Sequence, residues 1–154
     1  MKILLGLLLL AITTLANDFA MSHYLKQVEG KTEMFKINKI NTEINHYKYK
    51  KDKFLYGFKD HWATANEFFD NKGGDCEDFA ITKGTLLKKA GVTKLYVHIF
   101  YTKRGHKHAT LIVKTKKGDF YELDNNLIYP KKIIISKIPG NILPFNEVLR
   151  LKYS

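Results

Sequence analysis

A glycine pair running into a capped helix constrains this chain more than any other feature: Gly73-Gly74-Asp75-Cys76-Glu77-Asp78-Phe79-Ala80, followed by Gly91. Asp75 stands at an N-cap, Asp78 at the third helical position of a capping box, and Gly91 is a C-terminal stop. A helix from residue 76 to about residue 90 is therefore expected. The one cysteine of the chain lies in its first turn, where unsatisfied N–H groups and the helix dipole favour a thiolate and offer donors to an oxyanion. Asp75, Glu77 and Asp78 work against that thiolate unless a cation or the helix N–H groups absorb their charge. Two readings stand here: an activated nucleophile, or a small apolar thiol packed in a core.

The flanking segments suggest the architecture. Residues 31–47 carry Met34, Phe35, Ile37, Ile40, Ile44 and Tyr47 at helical spacing, and a lysine-rich connector follows over 48–53. Thr64-Ala65-Asn66-Glu67 is a second capping box, opening a short helix through Phe69. Downstream, residues 94–101, 108–115 and 119–123 read as strands, with Lys117-Gly118-Asp119 turning between the last two. Residues 133–135 and 148–151 are further short strand candidates. Helices first and an antiparallel sheet after, with the cysteine helix packed on the sheet, is an α+β arrangement.

Partners for a thiol nucleophile are present. His108 opens the run His108-Ala109-Thr110-Leu111-Ile112-Val113, and Asp124 closes Phe120-Tyr121-Glu122-Leu123-Asp124. Antiparallel pairing of these strands would set the imidazole beside the carboxylate. Thiolate, base and orienting carboxylate are what nucleophilic catalysis needs, and Cys76, His108 and Asp124 supply them in that order. His106 lies in the neighbouring loop and is the weaker base candidate, while His98, in mid-strand, reads as structural. His61 could line a groove or simply face solvent. The Cys76 N–H is the candidate oxyanion donor, and Trp62 the opposite wall of a groove. The acidic trio admits two readings, a helix cap or a calcium site built from Asp75, Glu77 and Asp78. Zinc lacks ligand spacing.

Gly-Asp-Cys-Glu-Asp-Phe-Ala, a histidine leading a strand, and Leu-Asp-Asn together resemble the bacterial transglutaminase-like cysteine proteinases, the LapG-like periplasmic adhesin proteases among them. Asp60-His61-Trp62-Ala63-Thr64 resembles the family's Asp-Tyr-Trp-Ala-Thr segment, Pro144-Phe145-Asn146 its C-terminal element, and residues 37–41 its asparagine-containing first helix. The resemblance covers roughly residues 35–151. It implies a papain/transglutaminase-like fold and a cysteine endopeptidase with calcium beside the nucleophile. It also implies a large repeat adhesin as substrate, cut at small residues such as an Ala-Ala or Ala-Gly pair, and an inner-membrane cyclic di-GMP receptor as regulator. The chain departs from the pattern in its compact N-terminal region and in His61, where tyrosine is usual. Acyl transfer to an amine by a true transglutaminase uses the same triad, and a noncatalytic binding module could use the same fold.

Met1-Lys2 and the short apolar run to Ile12, with Thr14-Leu15-Ala16 after it, read as a cleavable signal peptide over residues 1–16. Residues 17–154 then form one domain, with a periplasmic destination and no integral membrane segment. A lone unpaired thiol in that oxidising setting is easiest to explain as functional. The net charge of +11, from 26 basic and 15 acidic residues, is spread along the chain without a nucleic-acid motif. It reads as a solvated basic surface, with an acidic protein or anionic lipid as the alternative counterpart.

Overall fold

The computed structural model describes residues 19–58 and 60–153. The expected signal peptide, residues 1–16, lies outside them. Residues 19–28 are helical (α1) and lead into α2 (Glu33–Ile44). Thr32 caps α2 by accepting the Phe35 N–H at 3.3 Å, and the stripe Ile37, Ile40, Asn41 and Ile44 is its buried face. Two further helices, α3 (Asp52–Leu55) and α4 (Ala65–Asp70), precede the long central helix α5 (Cys76–Lys89). The Thr64–Glu67 capping box of α4 is formed as expected.

The strands β3 (Leu95–Tyr101), β4 (Lys107–Lys114), β5 (Phe120–Leu123), β6 (Lys131–Ile133) and β7 (Asn141–Pro144) form one antiparallel sheet in the order β6-β5-β4-β3-β7. Helix α5 lies across β4 and is flanked by α2 and α4. The core is the layer between them, where Ile81, Leu86 and Leu87 of α5 meet Val97, Leu111, Val113 and Leu123. Burying each such side chain contributes about 1.5–3 kcal/mol.

A two-residue parallel bridge, β1 (Lys48–Tyr49) with β2 (Gly73–Gly74), ties the lysine-rich segment to the start of α5. It requires the glycine pair. Gly73 has φ +136, a Cβ there would strike the Lys48 carbonyl, and one on Gly74 would strike the Asp78 carboxylate.

Two expectations need correction. Residues 148–151 are not a strand but part of α6 (Phe145–Tyr153), because Phe145 and Val148, three apart, are buried together and Phe145 packs against Gly84 of α5. In the 133–135 region β6 ends at Ile133, and a 3-10 turn spans Ile135–Lys137.

Candidate active site

The end of α5 nearest the glycine pair places Cys76 at the floor of a cleft, 8% exposed. Its Sγ donates to Glu77 Oε2 at 3.0 Å. Burial pushes the thiol pKa upward, and the Glu77 and Asp75 carboxylates push it the same way; the Ala109 N–H, beside the sulfur, opposes them. With these carboxylates uncompensated, the thiol is held protonated.

His108 stands in β4 directly opposite Phe100 of β3, the two rings meeting edge to face at 5.4 Å. Its Nε2 lies 3.1 Å from both Oδ1 and Oδ2 of Asp124. Leu111 pairs with Leu123, so the register carries Asp124 to the diagonal neighbourhood of His108, which is how adjacent strands set an imidazole beside a carboxylate. Burial alone would raise Asp124, but hydrogen bonds from His108 and the Asn126 N–H, with the charges of His108 and Lys83, hold it below the ordinary carboxylate range.

The segment after Asp124 is secured from α2. Asn45 Nδ2 donates to the carbonyls of Asp124 (2.9 Å) and Leu127 (2.8 Å), and Asn41 Nδ2 to those of Leu127 (3.1 Å) and Ile128 (2.9 Å). Cys76 and His108 line the same two cavities. One, of about 730 Å³, is walled by Tyr49, Tyr101 and Asn125; the other, of about 160 Å³, includes Trp62. Trp62 is fixed by its Nε1 donating to Asp60 (3.3 Å) and by Lys152 over its ring at 4.5 Å.

His106 contributes to the wall of the larger cavity from the β3–β4 loop, where its N–H is bonded to Thr102. His61 is not a groove residue. Its N–H goes to Asp52 at 2.5 Å and its Nε2 to Glu67 at 3.1 Å. His98 is structural, as expected, between Glu122 (3.0 Å) and the Pro139 carbonyl (2.7 Å).

The acidic trio proves to be a quartet. Carboxylate oxygens of Asp52, Asp75 and Asp78 lie within 4.8 Å of one another, as do ligand atoms of Asp75, Cys76 and Glu77. Asp52 went unforeseen because it sits amid the lysine-rich connector; the β1–β2 bridge is what brings it here, 2% exposed. Burial and then the Glu77 charge raise Asp75, burial raises Asp52, and Asp78 is pushed up to about 7 by burial despite its hydrogen bonds. Oδ1 of Asp52 and Oδ1 of Asp75 are buried without a partner. Asp78, by contrast, spends its oxygens on the N–H groups of Ala63 (2.7 Å) and Asp75 (3.1 Å), which makes it the clamp of the helix start. Two buried carboxylates that each keep an oxygen without a hydrogen-bond partner, and that approach each other and Asp78 within 4.8 Å, fit a hard cation that takes oxygen ligands.

A helix-borne thiol on an antiparallel sheet that carries an imidazole–carboxylate pair defines a transglutaminase-like cysteine hydrolase. Residues 17–131 match the bacterial transglutaminase-like cysteine proteinase family BTLCP, and the chain belongs to that family of cysteine endopeptidases. Among solved structures it is similar to Legionella pneumophila LapG, at 26% identity and TM-score 0.67, over 84% of this chain and 72% of that one. The calcium-bound form of LapG matches at 24% identity and TM-score 0.67, over 82% of this chain and 72% of that one. The EGTA-treated form matches at 26% and 0.66, over 84% and 70%. No curated protein matches the chain by sequence.

Proposed function

We propose that this endopeptidase works through a Cys76–His108–Asp124 triad, depends on calcium, and cleaves the N-terminal region of a large repeat adhesin. The observation that carries the triad is that His108, held by Asp124 through Nε2, lines the same cavities as Cys76. The Cys76 thiolate attacks the scissile carbonyl. His108 takes the thiol proton and later returns it to the leaving amine, while Asp124 fixes the ring and stabilises its charge. The N–H of Cys76, at the helix start, receives the oxyanion. Trp62 closes the narrow side of the groove, and water then hydrolyses the thioester.

Asp75, Glu77 and Asp52 would hold calcium, with Asp78 bracing the helix start behind them. Calcium would offset the carboxylate charge that keeps the Cys76 thiol protonated. The two orphaned oxygens support the site, and a calcium-bound form of the similar LapG supports the ion. The adhesin, the cyclic di-GMP receptor that would sequester the enzyme, and a periplasmic location reached through a signal peptide over residues 1–16 rest on the family resemblance, as does one protease domain over 17–154. No described helix is long and apolar enough to cross a membrane.

The test is cleavage of a recombinant adhesin N-terminal region. Wild type should cut it, EGTA should stop the reaction and added calcium restore it, and Cys76→Ala should be inert. Full activity in EGTA with no calcium bound in calorimetry would reduce the acidic cluster to a helix-capping device. Incorporation of an added amine in place of hydrolysis would make the enzyme a transglutaminase.

A further inference from the structure

We propose that the segment from Lys48 to Phe58 docks on an anionic lipid bilayer surface. The segment divides cleanly into an inward and an outward side. Lys50 turns its Nζ to the Asn71 carbonyl, Asp52 is buried at the acidic cluster, and Tyr56 accepts a hydrogen bond from Asn71 at 2.8 Å while packing on His61 at 4.0 Å. Lys48, Tyr49, Lys51, Lys53, Phe54 and Phe58 face outward, with Phe54 83% and Phe58 55% exposed.

The sole acid of the segment therefore points into the fold and leaves the outer side cationic and aromatic. None of the three outward lysines makes an ion pair among the described residues. Asp60, beyond the patch, is engaged by Trp62 Nε1 and lies 4.0 Å from Lys107.

One aromatic ring held in water on the short helix α3, and a second, half-exposed ring at Phe58 three residues beyond its end, together with lysines free of ion pairs, match the chemistry of a charged bilayer interface. The rings enter the acyl boundary and the ammonium groups stay among anionic headgroups. The backbone behind them is fixed by β1 pairing with the glycine strand and by the Lys50 N–H to Gly74 carbonyl bond of 2.8 Å, so little order is lost on docking. The excess of 26 basic over 15 acidic residues supplies long-range attraction of the same sign. Tyr49 and Lys51 also line the larger cavity beside Cys76, so a docked molecule would hold that cavity next to the bilayer.

Binding is measured on Cys76→Ala protein, so the outcome does not depend on the proteolytic reading. Cosedimentation is compared between vesicles of phosphatidylcholine alone and vesicles of phosphatidylcholine with phosphatidylglycerol, all proteins carrying the same N-terminus. Wild-type sequence at the patch should bind only the anionic vesicles. Adding Phe54→Ser and Phe58→Ser should weaken that binding about tenfold, and Lys48→Glu with Lys53→Glu should abolish it at moderate salt. Circular dichroism melts that match the parent exclude misfolding. No binding to anionic vesicles, equal binding to both vesicles, or binding indifferent to Phe54 and Phe58 would each overturn the proposal, the last by showing diffuse charge alone at work.

Discussion

The sheet carries two imidazole–carboxylate pairs, and the difference between them is what sets the pair proposed to be catalytic apart from a structural one. His98 and Glu122 meet at 3.0 Å, with the other ring nitrogen closed off by the Pro139 carbonyl and Glu122 also accepting from Thr110 at 2.9 Å. Both nitrogens face acceptors, which favours the doubly protonated ring and fastens the segment ending at Pro139 to the sheet. His108 and Asp124 meet at nearly the same distance, but among the described residues no hydrogen bond engages His108 Nδ1, and the ring borders open cavities shared with Cys76. The residue types are nearly the same; what differs is whether one nitrogen is left for a third party. Phe100 lies between the pairs, stacked on His98 at 4.4 Å and edge-on to His108 at 5.4 Å, so the structural pair also braces the His108 ring.

The sharpest way to break this comparison is to delete each ring. His108→Ala should abolish peptide cleavage, as Cys76→Ala should, while His98→Ala should leave kcat/KM within about tenfold of wild type in protein that remains folded. Equal losses of activity in both, at equal foldedness, would erase the distinction.

Amide substitution probes the carboxylates. Asp124→Asn should reduce kcat by about 10²–10⁴-fold with little change in melting, because the amide can neither hold the tautomer nor balance the imidazolium. Glu122→Gln should do the reverse, costing about 3 kcal/mol of stability in denaturant titration and little rate.

The pH dependence of stability separates them further. Burial alone would lower His98, yet its hydrogen bonds to Glu122 and Pro139 carry it above the ordinary 6.5, while Glu122 is held below 4.5 by His98. The His98 contribution is thus complete below 6.5 and lost as pH rises through the raised folded value. The Glu122 contribution is present above 4.5 and lost as pH falls through its lowered one. Melting temperatures of wild type and Glu122→Gln should converge at both extremes; a constant gap across pH would mean that the pair is held by packing alone.

A dependence of the opposite sign is expected at Lys83, a fully buried lysine of α5 whose Nζ has no hydrogen-bond partner. Burial pushes it down to about 7, with only Asp124 drawing it back. Between 7 and 10.5 the unfolded chain binds more protons than the folded one at this site, so stability should rise with pH across that window. Lys83→Met should flatten that rise and melt above wild type near neutral pH, the gap narrowing as pH rises. An unchanged slope would show that Lys83 stays charged in the fold.

Much of this was legible in the chain, and the reasons are local. The capped start at Asp75, the box at Thr64, and the alternation through residues 95–101 and 107–114 are signals carried by neighbouring residues, so helix α5 and strands β3 and β4 could be read directly. His108 and Asp124 followed from strand order. Asp52 could not be read, because its burial depends on a parallel bridge between residues far apart in sequence. The resemblance marks Asn41 on the first helix, but its role and that of Asn45 are hidden, since their partners are backbone carbonyls from Asp124 onward that carry no side-chain signature. Residues 148–151 were misread because four residues with three apolar among them fit either period, and only the contact of Phe145 with Gly84 decides for helix.

The division of labour between α5, which carries Cys76, and the sheet, which carries His108 and Asp124, also sets when the enzyme acquires its activity. On the proposed triad, a partly folded chain with α5 formed but β4 and β5 not yet paired against it has a nucleophile without a base. Its thiol is also kept quiet by the carboxylates beside it. Catalytic competence would then be among the last properties to appear, so a chain still being made or moved would be harmless to its surroundings.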